Sequence, residues 1–309
     1  MFLKDIGWKK IIGLAILGIL FLLTAGCGNE DKAGSTGKPQ GSTASQMTEL
    51  KVSFVPVESA EEIVKRYQGI VDYLSKELNM KVTTYVANDY AAVIEAMRAR
   101  HVDVAWFGPF SYILASNEAG AEAFVNPIGE NGLDVYYSLF ITHKDSGIKS
   151  LQDLKGKSFS FGDPASTSGH LIPRYIMVKS GLNPDKDMKV QFSGGHDATA
   201  LAVKNKKVDA GAMASEVYDR LVEKNIITPD EVRIFLKSEA LPLDPWAYRK
   251  DLPQEFKEKV KKALLEIHQK APDALKGTNF IKFQEVDDSR YDIIREVAKN
   301  LNLDLKKLK

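Results

Sequence analysis

The chain has 309 residues, 44% of them hydrophobic, with 42 basic residues against 41 acidic and a single cysteine. That balance excludes a basic nucleic-acid surface, and one cysteine excludes an intramolecular disulfide or a Cys-built metal site. The length suits two domains of ordinary size.

Lys4, Lys9 and Lys10 precede an apolar stretch over residues 11–23, which small residues follow. A basic start, a short apolar core and small residues before a cut predict a secretory signal peptide over 1–26. The stretch falls short of the ~20 residues a membrane span needs, so a short anchor with an incidental cysteine is the poorer reading. The run Leu23-Thr24-Ala25-Gly26-Cys27 resembles the bacterial lipobox. That resemblance implies cleavage before Cys27, a diacylglycerol on its thiol, and a chain lipid-anchored to the extracytoplasmic face of the cell membrane. Residues 27–47 are rich in Gly, Ser, Thr and Lys and read as a flexible linker. Without the leader the remainder stays close to neutral. Solute-binding proteins, surface enzymes and adhesins are the classes left.

Residues 50–55 alternate as a strand ended by Pro56, and 61–78 carry apolar residues at helical spacing (Ile63, Tyr67, Ile70, Val71, Leu74, Leu78). A strand over 81–86, a helix over 91–100 and a buried strand over 102–107 follow. The order β-α-β-α-β implies a largely parallel sheet covered by helices. Residues 136–142 form a long β-rich run. The pattern then restarts: strand 158–161, helix 169–180 closed by Gly181 as a C′ residue, strand 189–192, helix 198–205, strands 208–213 and 232–236. Two helices, 254–269 and 289–301, end the chain. The fold class is α/β, with two modules joined by extended crossings.

An internal echo supports two modules. At an offset of 106 residues Val102-Asp103 falls on Val208-Asp209, Tyr112 on Tyr218 and Tyr90 on His196; chance similarity between two βαβ units explains the few identities equally well. Either way Tyr90 and His196 precede helices at the carboxyl ends of sheets, where open α/β sheets bind ligands.

Asp163-Pro164-Ala165-Ser166-Thr167-Ser168-Gly169 follows a strand and opens a helix. One hydroxyl would suffice for capping. Three, with a glycine that admits close approach, at a helix N-terminus describe an oxyanion cradle. His196 alone reads as a capping or packing residue. Glu216 and Asp244 are acids in apolar company, costly if buried in a cleft without a cation. Trp106, Phe107 and Trp246 read as core or hinge packing. HExxH, GxSxG and P-loop motifs are absent, the set Asp163, Asp197 and Asp244 lacks metal-ligand spacing, and Ser166 has no nucleophile elbow, so neither an enzyme nor a metal or other cofactor is expected.

DPASTSGHLIP, GGHDATALAVKNKKVDAGAM and ANDYAAVIEAMRARHVDVAWFGPFSY together resemble the periplasmic phosphate/phosphite/phosphonate-binding proteins of ABC importers. The resemblance covers the chain from Leu50 onward. It implies a type II periplasmic-binding-protein fold: lobe 1 over 48–142, lobe 2 over 143–243, and a return crossing over 244–309 whose helices pack on lobe 1. It implies that Ser166, Thr167, Ser168, Gly169, His196, Tyr90 and Tyr136 (with Tyr137 adjacent in register) bind a phosphonate group. Glu216 and Asp244 match the acids that hold the amine in members binding 2-aminoethylphosphonate. Members binding phosphite or methylphosphonate need no such pair. The partners implied are a small phosphonate, an ABC permease and the membrane; no nucleic acid is implied, and the chain is expected to be a monomer without catalysis.

Overall fold

The computed structural model describes residues 47–303. The leader, Cys27 and all but the last residue of the linker lie outside the described residues. In chain order the elements are β1 (Glu49–Phe54), α1 (Ala60–Glu77), β2 (Lys81–Val86), α2 (Tyr90–Arg98), β3 (Val104–Trp106), α3 (Pro109–Ala119), β4 (Ala121–Gly129), β5 (Val135–Tyr136) and β6 (Ser138–His143). There follow β7 (Ser158–Phe161), a π-helical turn (Thr167–Leu171), α4 (Ile172–Lys179), α5 (Pro184–Asp187), β8 (Lys189–Phe192), α6 (His196–Lys204), β9 (Ala210–Ala214) and α7 (Ser215–Glu223). The last are β10 (Val232–Lys237), β11 (Leu241–Pro242), β12 (Trp246–Arg249), α8 (Gln254–Lys270), β13 (Phe280–Glu285) and α9 (Asp292–Asn300).

Two sheets result, each the centre of one lobe. The first runs β13-β4-β12-β3-β1-β2 and the second β10-β6-β9-β7-β8. Their inner halves match. In each, a first strand pairs in parallel with the second and third, and an antiparallel strand borrowed from across the molecule flanks the third. β12 completes lobe 1 after the chain has built lobe 2; β6 belongs to lobe 2 although it comes before β7. The two crossings pair with each other as the ribbon β5–β11, Leu241 opposite Tyr136.

The 106-residue echo has a structural counterpart. The Asp103 carboxylate accepts the Lys51 N–H at 2.9 Å and the Asp209 carboxylate accepts the Ser158 N–H at 2.8 Å. Each aspartate thus ties the start of a third strand to the first strand of its own lobe.

Local chemistry sets the helix starts. Ser59 caps α1, its hydroxyl accepting the Glu62 N–H, and Asp89 caps α2 by accepting the Ala92 N–H at 2.7 Å. Gly181, just past α4, takes the left-handed conformation with φ 82°.

Four expectations are corrected. The strand over Ser138–His143 pairs with β9 and β10, so lobe 2 begins before residue 143. The expected helix over 169–180 opens as a π-helical turn at Thr167, and residues 289–301 split into a 3-10 turn and α9. The tail does not pack on lobe 1 alone: α8 lies against α1 and β13, while α9 touches α3 of lobe 1 and α4 of lobe 2. Helices α3 and α7 and strands β4, β12 and β13 were not anticipated. The first seven residues of α3 are all buried, which removes the one-sided periodicity that marks a surface helix.

Candidate functional site

Helices α2, α3, α6 and α7 and the π-helical turn all begin at one cleft between the lobes. Its volume is about 490 Å³. Gly108, Gly195 and Ala214 precede α3, α6 and α7 without side-chain caps. Helix N-termini carry partial positive charge and free N–H groups. Nearly every residue assigned from sequence lines this space: Tyr90, Tyr136, Ser166, Thr167, Ser168, His196, Glu216 and Asp244.

One end is built from hydroxyls. The Tyr90 hydroxyl lies against that of Ser166, and the Tyr136 hydroxyl against those of Ser168 and Thr167. Burial holds both phenols well above their ordinary pKa, so they stay protonated donors. His196 is 3% exposed. Burial pushes its imidazole down to about 4, and its Nδ1 has no hydrogen-bond partner. A neutral ring keeps one N–H to donate. Tyr136, and not its neighbour, points at the hydroxyl run; Tyr137 lies under the Lys237 ammonium, 3.3 Å from the ring centre.

Gly169 also has a packing part. Its N–H already donates to Ser166 Oγ at 3.0 Å. A Cβ there would stand 2.9 Å from Ser166 Oγ, 3.0 Å from His196 Cε1 and 3.2 Å from the Gly162 backbone. The glycine lets the π-helical turn pack against strand β7's exit and the histidine.

The other end is acidic. Asp244, 4% exposed, leaves the β5–β11 ribbon, and Glu216 sits in the first turn of α7. Burial raises both carboxyls, Asp244 well above its ordinary value, and the charge of Glu216 adds to the effect on Asp244. Asp244 Oδ1 has no hydrogen-bond partner, and the Glu216 carboxyl accepts from Ser215 Oγ, at 3.2 Å, and from its own backbone. Trp106 also lines the cleft with its indole nitrogen unpartnered, whereas Phe107 and Trp246 are buried core.

The lobes are in contact. The Phe110 N–H at the start of α3 donates to Thr167 Oγ1 at 2.8 Å, and the His196 N–H donates to the Val57 carbonyl at 2.9 Å. The Tyr90 N–H donates to Asp163 Oδ2 at 3.3 Å and the Ser59 N–H to Asp197 Oδ2 at 3.1 Å. Asp163 also accepts the Ala165 N–H at 2.7 Å, and burial pushes its carboxyl up to about 6. Glu58 of lobe 1 accepts from Arg66 at 2.5 Å and from Arg220 of lobe 2 at 2.8 Å, all three side chains buried. Sequence reasoning missed Glu58, Arg66 and Arg220. Their only signal is charge beside apolar residues, which does not separate a buried network from a solvated face.

An acid-poor, donor-rich end facing an unpaired acidic end suits a small zwitterion with an oxyanion and an ammonium. Ser166 and His196 form no nucleophile–base pair: the hydroxyl accepts from Gly169, and His196 Nδ1 is unbonded.

Residues 52–291 match the family of ABC transporter, phosphonate, periplasmic substrate-binding proteins. The phosphonates-binding periplasmic protein of Escherichia coli is 34% identical over 215 residues, 68% of this chain and 64% of that protein's length, slightly under two thirds. The phosphate-import protein PhnD of Mycolicibacterium smegmatis is 33% identical over 255 residues, covering 78% of this chain and 77% of the other. Among solved structures, PhnD1 of Prochlorococcus marinus in complex with methylphosphonate superposes with a TM-score of 0.75 at 27% identity, covering 82% of this chain and 98% of that one.

Proposed function

This chain belongs to the periplasmic substrate-binding proteins of ABC phosphonate transporters, and on that premise we propose that it captures an aminoalkylphosphonate, foremost 2-aminoethylphosphonate, between its lobes. The observation that carries the amine is the pair Glu216, half-buried, and Asp244, buried, two carboxyls that line the cleft with no cation hydrogen-bonded to them. The phosphonate oxygens accept from Tyr90, Tyr136, His196 and the hydroxyls of Ser166, Thr167 and Ser168. Bonds to an ionised acceptor are roughly twice as strong as neutral ones. Gly169 supports this end by letting the turn pack. The ammonium takes the place between the two acids and removes their desolvation cost. A ligand that touches both lobes favours the closed form, and a permease reads that form. The protein works as a receptor and not as a catalyst.

Cys27 carries the lipid in this reading, and the linker holds the receptor beside the importer on the outer face of the membrane. Metabolic labelling with a radiolabelled fatty acid should mark the wild type and leave Cys27→Ser unlabelled; an unlabelled wild type refutes the anchor.

Isothermal titration against 2-aminoethylphosphonate, methylphosphonate, phosphite and phosphate tests the ligand. A charge-assisted bond contributes about 1.5–3 kcal/mol, so the amine ligand should bind at least roughly tenfold tighter than methylphosphonate. Equal affinities would remove the amine from the proposal and leave a phosphite, phosphate or methylphosphonate receptor.

A further inference from the structure

Arg220 lies one helical turn beyond Glu216 on α7 and lines the same cleft. Residues four apart on a helix face each other, and glutamate N-terminal to a cation is the favoured order. Arg220 is therefore the internal counter-ion that Glu216 would be expected to take. Its charge does reach both cleft acids through space and favours their ionised forms, but its close ion pair goes elsewhere. Its Nη2 is 2.8 Å from Glu58 Oε2, the same oxygen that Arg66 reaches at 2.5 Å. Glu58 is its sole ion-pair partner among the described residues. Glu58 and Arg66 stand behind the cleft wall, and all three side chains are at most 8% exposed.

Resting on the reading that Glu216 and Asp244 hold an ammonium, we infer that Glu58 is a specificity-determining residue that never touches the ligand: it withdraws Arg220 from the acidic pair. With Glu58 in place, two arginines share one carboxylate and the cleft acids keep their need for an outside cation. Without it, a buried guanidinium one turn from Glu216 supplies that cation from within, and the place of the ligand's ammonium is filled. Glu58 and Arg220 belong to opposite lobes, so the pairing forms as the lobes meet. Closing the cleft and clearing Glu216 are then one event. The charges of this pair also reach His196 at the oxyanion end, an effect that every phosphonate shares together with any loss of closure, so what is particular to ligands that carry an amine is read as a ratio.

The measured quantity is the ratio of methylphosphonate to 2-aminoethylphosphonate Kd by titration calorimetry, in which a common loss of closure cancels. Glu58→Gln alone would strand two buried arginines, so the working variant is Glu58→Gln with Arg66→Met, its folding checked by thermal melting. The ratio should fall at least tenfold, and adding Arg220→Met should restore it. Arg220→Met in the wild-type background should hold or raise the ratio, and it stands as the test if the double variant does not fold. An unchanged ratio in the double variant, a loss that Arg220→Met fails to restore, or a collapse in Arg220→Met alone each overturns the inference. A wild-type ratio near one would instead overturn the amine reading itself, a result distinguishable because no variant is needed to see it.

Discussion

Asp244→Asn separates the two ends of the cleft with one atom. The side chain keeps its shape and loses its charge. Asp244 Oδ1 is buried without a partner, and burial together with Glu216 holds the carboxyl well above its ordinary pKa. In the ligand-free protein ionising this carboxyl is costly, and the pair holds a proton. A neutral isostere should leave stability unchanged or raise it by about 1 kcal/mol, the low end of what replacing buried ions returns. For a domain of this size that is a rise in Tm of roughly 2–4 °C. With 2-aminoethylphosphonate bound, the same carboxylate gains a charge-assisted bond contributing about 1.5–3 kcal/mol, so the variant should lose roughly 10- to 150-fold in affinity for it. Methylphosphonate affinity should not change. A proton signature accompanies the effect. An ammonium favours the ionised acids, so its binding expels a proton from the pair, and affinity climbs as pH rises towards Asp244's raised pKa. Titration calorimetry in buffers of different ionisation enthalpy reads that proton directly. The wild type should release it with 2-aminoethylphosphonate and not with methylphosphonate; the variant should release less with either. Equal losses for both ligands, or a fall in the ligand-free Tm, would refute the reasoning, because either result makes Asp244 a structural residue.

Two further outcomes follow from groups around the oxyanion end. Burial lowers the His196 pKa to about 4 against an ordinary 6.5, so the folded state binds its proton more weakly than the unfolded chain. Its contribution to stability is present above about pH 6.5 and lost as pH falls towards 4, about 3 kcal/mol in all. Ligand-free wild type should therefore lose about that much more stability than His196→Gln between pH 7 and 4 in urea titrations; parallel losses would mean the ring is solvated. Gly169→Ala places a Cβ 3.2 Å from the Gly162 backbone and 3.0 Å from His196 Cε1, which should cost about 1–3 kcal/mol of overpacking. The same change should weaken phosphonates with and without an amine alike, and unaltered unfolding would show that the turn relaxes freely.

Much of the frame is legible in residue order. The alternating strands, the one-sided helix over Ala60–Glu77 and the hydroxyl run before Gly169 announce themselves because backbone periodicity and capping act over a few residues. The elements that escaped are those whose partners are remote. Helix α3 is buried on every side over its first seven residues, where α2, β4, α9 and the π-helical turn pack against it. Strand β12 lies between β3 and β4, more than a hundred residues earlier in the chain.

The site divides the same way. Residue types and their places before helices were enough to nominate the run Ser166, Thr167 and Ser168 and to set Tyr90 and His196 at sheet edges, while the family resemblance was needed to put His196, Glu216 and Asp244 in the site. Local chemistry determines where a donor or an acid can stand at a helix start, and a family resemblance attaches a role to it. Both tyrosines at 136 and 137 line the cleft, and the tertiary structure decided that Tyr136 meets the hydroxyls of Ser168 and Thr167 while Tyr137 meets Lys237. That Gly169 serves packing was decided by Gly162 and His196 closing on it. That the close ion pair of Arg220 goes to Glu58 and not to Glu216 was decided by the other lobe, which brings Glu58 within 2.8 Å of it. A charge's environment depends on what the fold brings within a few ångströms of it, and at low dielectric those neighbours outweigh anything its own segment supplies.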